Sequence, residues 1–313
     1  MSQRVLITCR QMQNCIDEFR EQLEGAGCEL VLSEVLQQPS EDELIAIIGD
    51  FDGMIAGDDP LTARVLEHAS RMRIISKWGV GTDGIDFEAA ARGGIAVTNT
   101  PGVFGDDVAD VAVGYLVMLA RQLHRIHSSV ADGGWFKFEG RRLAGSTLGV
   151  AGFGNIGQAV ARRGAGLGMQ VMAHDVADAL APVAAGVGVD FVDQDTMFAN
   201  SDFLVLSSPL TSDNHHMVNG RTLALMPERS YLVNVARGPL VDEAALCDAL
   251  ASGHLAAAAL DVFEEEPLSP DSPLRTFEQC VFGSHNGSNT REGVLQASAR
   301  AVENLLTGLA VPA

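Results

Sequence analysis

A glycine loop in the middle of the chain is the strongest constraint on its fold. Residues 149–157 read GVAGFGNIG, and Gly152, Gly154 and Gly157 form G-x-G-x-x-G directly after the apolar run 147–151. A helical pattern follows over 156–165. Strand, glycine turn and helix in that order cradle a dinucleotide pyrophosphate. The glycines permit a tight turn, close backbone approach to phosphate, and close helix–strand packing. The N–H groups at the start of the helix favour the bound anion. Such a loop predicts an acid about 20 residues on, at the end of the next strand, for the ribose hydroxyls. Asp175 stands there, closing MQVMAHD. A carboxylate at that place repels a 2′-phosphate, so NAD is expected over NADP.

About half the chain precedes this loop, and it carries a rhythm of its own. Short apolar runs at 5–8, 29–32, 53–56, 73–76 and 95–98 alternate with helical patterns at 15–23, 41–48, 62–69 and 87–92. The second half repeats the pattern. Strands are expected at 147–151, 170–174, 203–206, 231–234, 256–260 and 280–282, with helices at 156–165, 196–199, 220–225 and 243–251. Alternation of this kind implies α/β architecture with two doubly wound parallel-sheet domains. Between them, after the turn signal Asn99-Thr-Pro-Gly, one long apolar-faced helix is expected over 107–127. A further amphipathic helix is expected over 290–305, placed to pack back on the first domain.

The length of 313 residues suits two domains, and 47% apolar residues suffice for two cores. The formal net charge of −20 argues against nucleic acid or an anionic membrane surface as partner. Small anionic substrates stay open, because a local pocket can be positive on an acidic protein. Lys77 and Lys137 are the only lysines. The five cysteines show neither zinc spacing nor a C-x-x-C pair, so free thiols in a reducing cytoplasm, and no metal, are expected. MSQR leads straight into the strand-like VLIT, with no signal-peptide pattern. The most apolar stretch, 108–120, carries Asp110 and is too short to span a bilayer.

Three polar groups follow separate strands of the second half. Arg237 lies in NVARG (234–238), an acid run in LDVFEEEP (260–267), and His285 in GSHNGSN (283–289). Singly, each reads as a surface arginine, a solvated acidic loop or an ordinary histidine. Jointly they stand at the strand ends where open α/β sheets bind ligands.

These motifs, in this order, closely resemble the D-isomer-specific 2-hydroxyacid dehydrogenase family, in its phosphoglycerate dehydrogenase-like form. The likeness spans essentially the whole chain. It includes KWGVGTDGID (77–86), NTPG (99–102), VAD (108–110), GFGNIG (152–157), SPLT (208–211), NVARGPLVDE (234–243), LDVFEEEP (260–267) and SHNGSNT (284–290). The resemblance implies a Rossmann NAD-binding domain, 100–285, inserted into a flavodoxin-like substrate domain, 1–99 plus 286–313. It implies that Arg237 grips the substrate carboxylate, that His285 is the general acid/base, and that Glu266 pairs with it. Lys77 and the backbone of Gly79, Val80 and Gly81 match substrate-binding positions. Val108, Gly152, Gly154, Asn155, Ile156, Gly157, Asp175, Ser207, Pro209, Ala236, Asp261, His285 and Gly287 match positions lining the cofactor, with Asp261 near the nicotinamide amide. Some relatives carry His where this chain has Ser207.

The resemblance also marks departures. Ala56 stands where phosphoglycerate-oxidising relatives use Arg, Asp58 and Asp59 follow it, and no C-terminal regulatory domain is expected. Charge therefore favours glyoxylate, hydroxypyruvate or a larger 2-oxo acid over phosphoglycerate. An NAD(H)-sensing regulatory protein on the same fold, and a formate- or phosphite-type dehydrogenase, are the alternatives. A homodimer through residues 99–145 is expected, with Trp135 and Phe136 in a Gly-containing loop as the local clue.

Overall fold

The computed structural model describes residues 2–34 and 39–310. It divides into two compact units, Met1–Val103 with Asn289–Ala313, and Phe104–Ser288.

The first unit carries β1 (Gln3–Ile7), β2 (Cys28–Leu32), β3 (Gly53–Ala56), β4 (Ile74–Lys77) and β5 (Ala96–Thr98). All pair in parallel, in the order β2-β1-β3-β4-β5. This is the flavodoxin-like order. Parallel neighbours need crossover connections that cover both faces, so the central strands are apolar throughout. Val5, Leu6, Ile7, Met54, Ile55 and Ile75 are fully buried. The helical pattern over 15–23 forms as Asp17–Gly25, and a short helix that the pattern does not mark, Arg10–Asn14, precedes it.

The helix Arg291–Ala310 closes this unit from the far end of the chain. A Cβ on Gly53 would lie 2.8 Å from Leu305 Cδ1, and one on Gly308 would lie 2.7 Å from Ile74 Cγ1. Only glycine at both places lets helix and sheet approach this closely. Polar groups buried in the contact are satisfied: Ser76 Oγ donates to Ala301 O at 2.8 Å, and Trp78 Nε1 to Ser298 Oγ at 3.0 Å.

The second unit carries β6 (Thr147–Ala151), β7 (Gln170–His174), β8 (Asp190–Phe191), β9 (Phe203–Leu206), β10 (Ser230–Asn234), β11 (Leu255–Leu260) and β12 (Val281–Phe282). These are again all parallel, ordered β12-β11-β10-β9-β6-β7-β8. The strand order reverses between β6 and β9, which is the Rossmann switch point, and one strand extends the far edge. The helix Gly105–Arg121 packs against the helix Asn155–Gly166 and buries Ala109, Ala112 and Leu116. A single helix over 107–127 is not what forms. The chain breaks at Gln122, whose φ is 52°, and resumes as Leu123–Ala131.

Candidate active site

The glycine loop leaves β6 at the switch point, facing the segment after β9. Gly152 has φ +91°, and a Cβ there would fall 2.6 Å from the backbone of Ser208. A Cβ on Gly157 would fall 2.0 Å from Gly152 O. The two glycines therefore fold the loop flat onto its neighbour strand and its own helix. Ser207 Oγ donates to Gly152 O at 2.8 Å, pinning the turn from the β9 side. Gly154 faces open space at the N-terminus of the helix Asn155–Gly166, and no side chain caps that end. Its first-turn N–H groups thus point where an anion is stabilised. After β7, Asp175 accepts from Phe153 N at 2.7 Å and from Ala177 N at 2.9 Å, which fixes its carboxylate beside the loop. Charge, open space and donors fit a dinucleotide.

Arg237, Glu266 and His285 follow three adjacent strands, β10, β11 and β12. Asn234, fully buried at the end of β10, shapes the arginine turn. Its Oδ1 accepts from Ala236 N at 3.0 Å and its Nδ2 donates to Arg237 O at 2.8 Å. Arg237 Nη1 donates to Ala236 O at 2.8 Å. Gly238 then lets the next segment cross, because a Cβ there would sit 1.8 Å from the Phe263 carbonyl. Glu266 Oε1 accepts from Phe263 N at 3.0 Å, and its Oε2 lies 2.8 Å from His285 Nδ1. A carboxylate only accepts, so Nδ1 carries the proton and Nε2 is left for chemistry. A second such pair, His216 Nε2 to Glu264 Oε1 at 2.8 Å, involves the same acidic run.

Asp261 directly follows β11 and is almost fully buried, and its backbone O accepts from His285 N at 2.7 Å. Its carboxylate accepts from Gly287 N at 2.8 Å and from Tyr115 Oη at 3.2 Å. Burial and the adjacent Asp261 charge push the Tyr115 hydroxyl well above its ordinary pKa, so it stays a donor. Gly287 lies against Val108, whose methyls would be 3.5 Å from an added Cβ. Ala236 is buried at the arginine turn, and Pro209 is exposed, its carbonyl accepting from Asn214.

The remaining candidates belong to the first unit. Lys77 ends β4 and is buried, with Nζ donating to Asp58 Oδ1 at 3.0 Å and to Trp78 O at 2.7 Å. Gly79, at φ +117°, donates its N–H to Thr100 Oγ1 at 2.9 Å. Val80 is 45% exposed, and Asn99 Nδ2 holds its carbonyl. Gly81 follows. Behind them Asp59 is buried against Thr8 Oγ1, and burial pushes its carboxyl up to about 6.

Four residues that shape the site escape sequence reading: Tyr115, Asn234, Gly238 and Gly283. Asn234, Gly238 and Gly283 sit inside the motifs NVARG and GSHNGSN, where an Asn and glycines close to Arg237 and His285 are the available signal. Tyr115 has none, because its partner is 146 positions away.

Residues 113–287 match the family model described as D-isomer specific 2-hydroxyacid dehydrogenase, NAD binding domain. The chain is 37% identical over 286 residues to a hydroxypyruvate reductase of Thermotoga maritima, covering 90% of this chain and 91% of that one. The chain belongs to the D-isomer-specific 2-hydroxyacid dehydrogenase family. A glyoxylate reductase of Thermofilum pendens is 36% identical over 290 residues, covering 90% and 86% of the two chains. The crystal structure of D-lactate dehydrogenase from Aquifex aeolicus, complexed with NAD and lactic acid, superposes with a TM-score of 0.83 at 26% identity, covering 96% and 93%. A 2-hydroxyacid dehydrogenase is an NAD-linked oxidoreductase of the CH–OH group, and the nucleotide-sensor reading gives way to that. Among the described residues no helix is long and apolar enough to cross a membrane, and no group of three or more His, Cys, Asp or Glu could hold a metal ion.

Proposed function

We propose that this chain reduces a short, unphosphorylated 2-oxo acid, glyoxylate or hydroxypyruvate foremost, with NADH. The observation that carries this is the Glu266–His285 pair at 2.8 Å, on strand ends adjacent to that of Arg237. NADH, when bound, supplies the hydride that C2 receives. His285 Nε2 gives its proton to the carbonyl oxygen, leaving a hydroxyl on C2 and a neutral imidazole. Glu266 fixes the ring by its Nδ1 and faces the charge that His285 carries before transfer. Arg237 offers a planar fork to the substrate carboxylate and polarises the 2-oxygen.

Choice of substrate rests on charge and on the relatives' names. Lys77 is committed to Asp58, and Asp58 and Asp59 follow closely on Ala56, which disfavours a phosphate dianion. Two similar proteins are a hydroxypyruvate reductase and a glyoxylate reductase. Asp175 supports NAD over NADP by repelling a 2′-phosphate. Five free cysteines suit a reducing cytoplasm. Trp135 and Phe136, 79% and 70% exposed, support a homodimer through residues 99–145.

The test is NADH oxidation, with NADPH in parallel, against glyoxylate, hydroxypyruvate, phosphohydroxypyruvate, pyruvate and branched 2-oxo acids. Turnover of a small acid with NADH, lost in His285→Ala, is expected. NADH binding without turnover of any acid would overturn the reading. Preference for phosphohydroxypyruvate would overturn its substrate part.

A further inference from the structure

The His285 loop needs an anchor. His285 has φ +54°, in the left-handed region that is strained for a residue with a side chain. Such a conformation persists only where its surroundings hold it. Between β12 and the end of the second unit, Gly283 N donates to Leu260 O at 2.8 Å at the start of the loop, His285 Nδ1 meets Glu266, and two backbone N–H groups of the loop donate to Asp261. Its backbone oxygen accepts from His285 N at 2.7 Å and its Oδ2 accepts from Gly287 N at 2.8 Å. Asp261 is 2% exposed, so its carboxylate depends on protein donors to stay in place. Its other oxygen, Oδ1, takes the Tyr115 hydroxyl at 3.2 Å.

The loop is also laid directly on that pair. A Cβ on Gly283 would fall 2.0 Å from Asp261 Oδ1 and 2.4 Å from Tyr115 Oη. One on Gly287 would fall 3.2 Å from Asp261 Oδ2. Glycine at 283 brings the backbone down onto the carboxylate and hydroxyl, and the helix Gly105–Arg121 carries Tyr115 into place from beneath.

We propose that Tyr115 is a positioning residue: its hydroxyl orients the Asp261 carboxylate, and through it holds the loop 283–287 in the conformation that presents His285. The inference deepens the proposed function and rests on it for His285's role as proton donor. The Tyr115 hydroxyl, raised in pKa by burial and by Asp261, donates and does not ionise near neutral pH. Without it, the carboxylate keeps one N–H donor and is free to rotate, and the bond to Gly287 weakens.

Tyr115→Phe tests this with two readouts. In the protein without cofactor, hydrogen exchange of the segment 283–288 should rise about tenfold, while exchange over β6 and β9 stays within twofold of wild type. With the best acid of the panel, kcat should fall about tenfold and KM for the acid should stay within twofold, because the carboxylate grip of Arg237 is untouched. Gly283→Ala perturbs the same pair from the loop side and should give the same signature if Tyr115→Phe is poorly soluble. Wild-type exchange over 283–288 overturns the proposal. So does a rise spread evenly over the second unit, which would mark a purely structural role. If no acid is turned over, the functional reading fails, yet the exchange measurement still decides whether Tyr115 holds the loop.

Discussion

Glu266 has two jobs for its two oxygens, one accepting from Phe263 N and one facing His285 Nδ1. Glu266→Gln cannot do both. With its carbonyl on Phe263 N, the amide turns an N–H toward Nδ1 and forces the tautomer whose Nε2 proton cannot be given up at reasonable cost. General acid–base catalysis is worth about 10²–10⁴-fold, so kcat for reduction should fall at least about 10²-fold, with NADH affinity within about threefold by fluorescence titration. Asp59 makes a different case. Its folded pKa of about 6 lies above the ordinary value because of burial, offset in part by Thr8 and Gly57. A raised carboxyl binds its proton more tightly in the folded state. The stability it contributes is present below about pH 4 and lost as pH rises through about 6. Asp59→Asn keeps an acceptor for Thr8 and has no charge to bury. Relative to wild type it should gain on the order of 2–3 kcal/mol between pH 4.5 and 7.5 in denaturant unfolding. A constant difference across that range would refute this account.

Strands and helices with a strong period were legible from the residues. β3, β6, β7 and β9 run between the same residues that the apolar pattern marks, because each is a short run with an apolar centre, set off by polar or turn residues. β8 is two residues long and the helix Ala181–Gly186 is small-residue and uncapped, so neither leaves a period to read. The break at Gln122 has no sequence signal, since glutamine is a good helix former; its left-handed φ is imposed from outside the helix, with its side chain donating to Glu139 O. The site divides the same way. Arg237, Glu266 and His285 sit in local motifs, whereas Tyr115 acts on Asp261 through a contact that only the fold creates. At the strand–turn–helix element, the glycine fingerprint is a packing requirement as much as a binding motif. Gly157→Ala places a methyl 2.0 Å from Gly152 O, a backbone atom that cannot swing away. Overpacking of this kind costs about 1–3 kcal/mol, and the displaced loop should weaken NADH binding more than tenfold. Unchanged affinity by titration would show that the turn tolerates the shift.

At the scale of the whole molecule, the exposed aromatics are the feature its own fold does not use. Trp135 and Phe136 stand in solvent, with Leu123 and Val130 of the preceding helix 45% and 46% exposed. Trp135→Ser with Phe136→Ser should shift the sedimenting species from dimer to monomer at micromolar concentration. A wild-type monomer would exclude the pairing. One further property follows from the way the first unit is composed. Its sheet keeps a face for the helix Arg291–Ala310, where Gly53, Ile74, Ser76 and Trp78 meet Leu305, Gly308, Ala301 and Ser298. On the ribosome that face emerges early, and its helix emerges only after all of Phe104–Ser288 has been made. At about 5–20 residues per second the wait is on the order of ten to forty seconds. The sheet of the first unit thus waits for a helix that is made only after the whole inserted unit, and the face the helix covers stays uncovered by it for that interval.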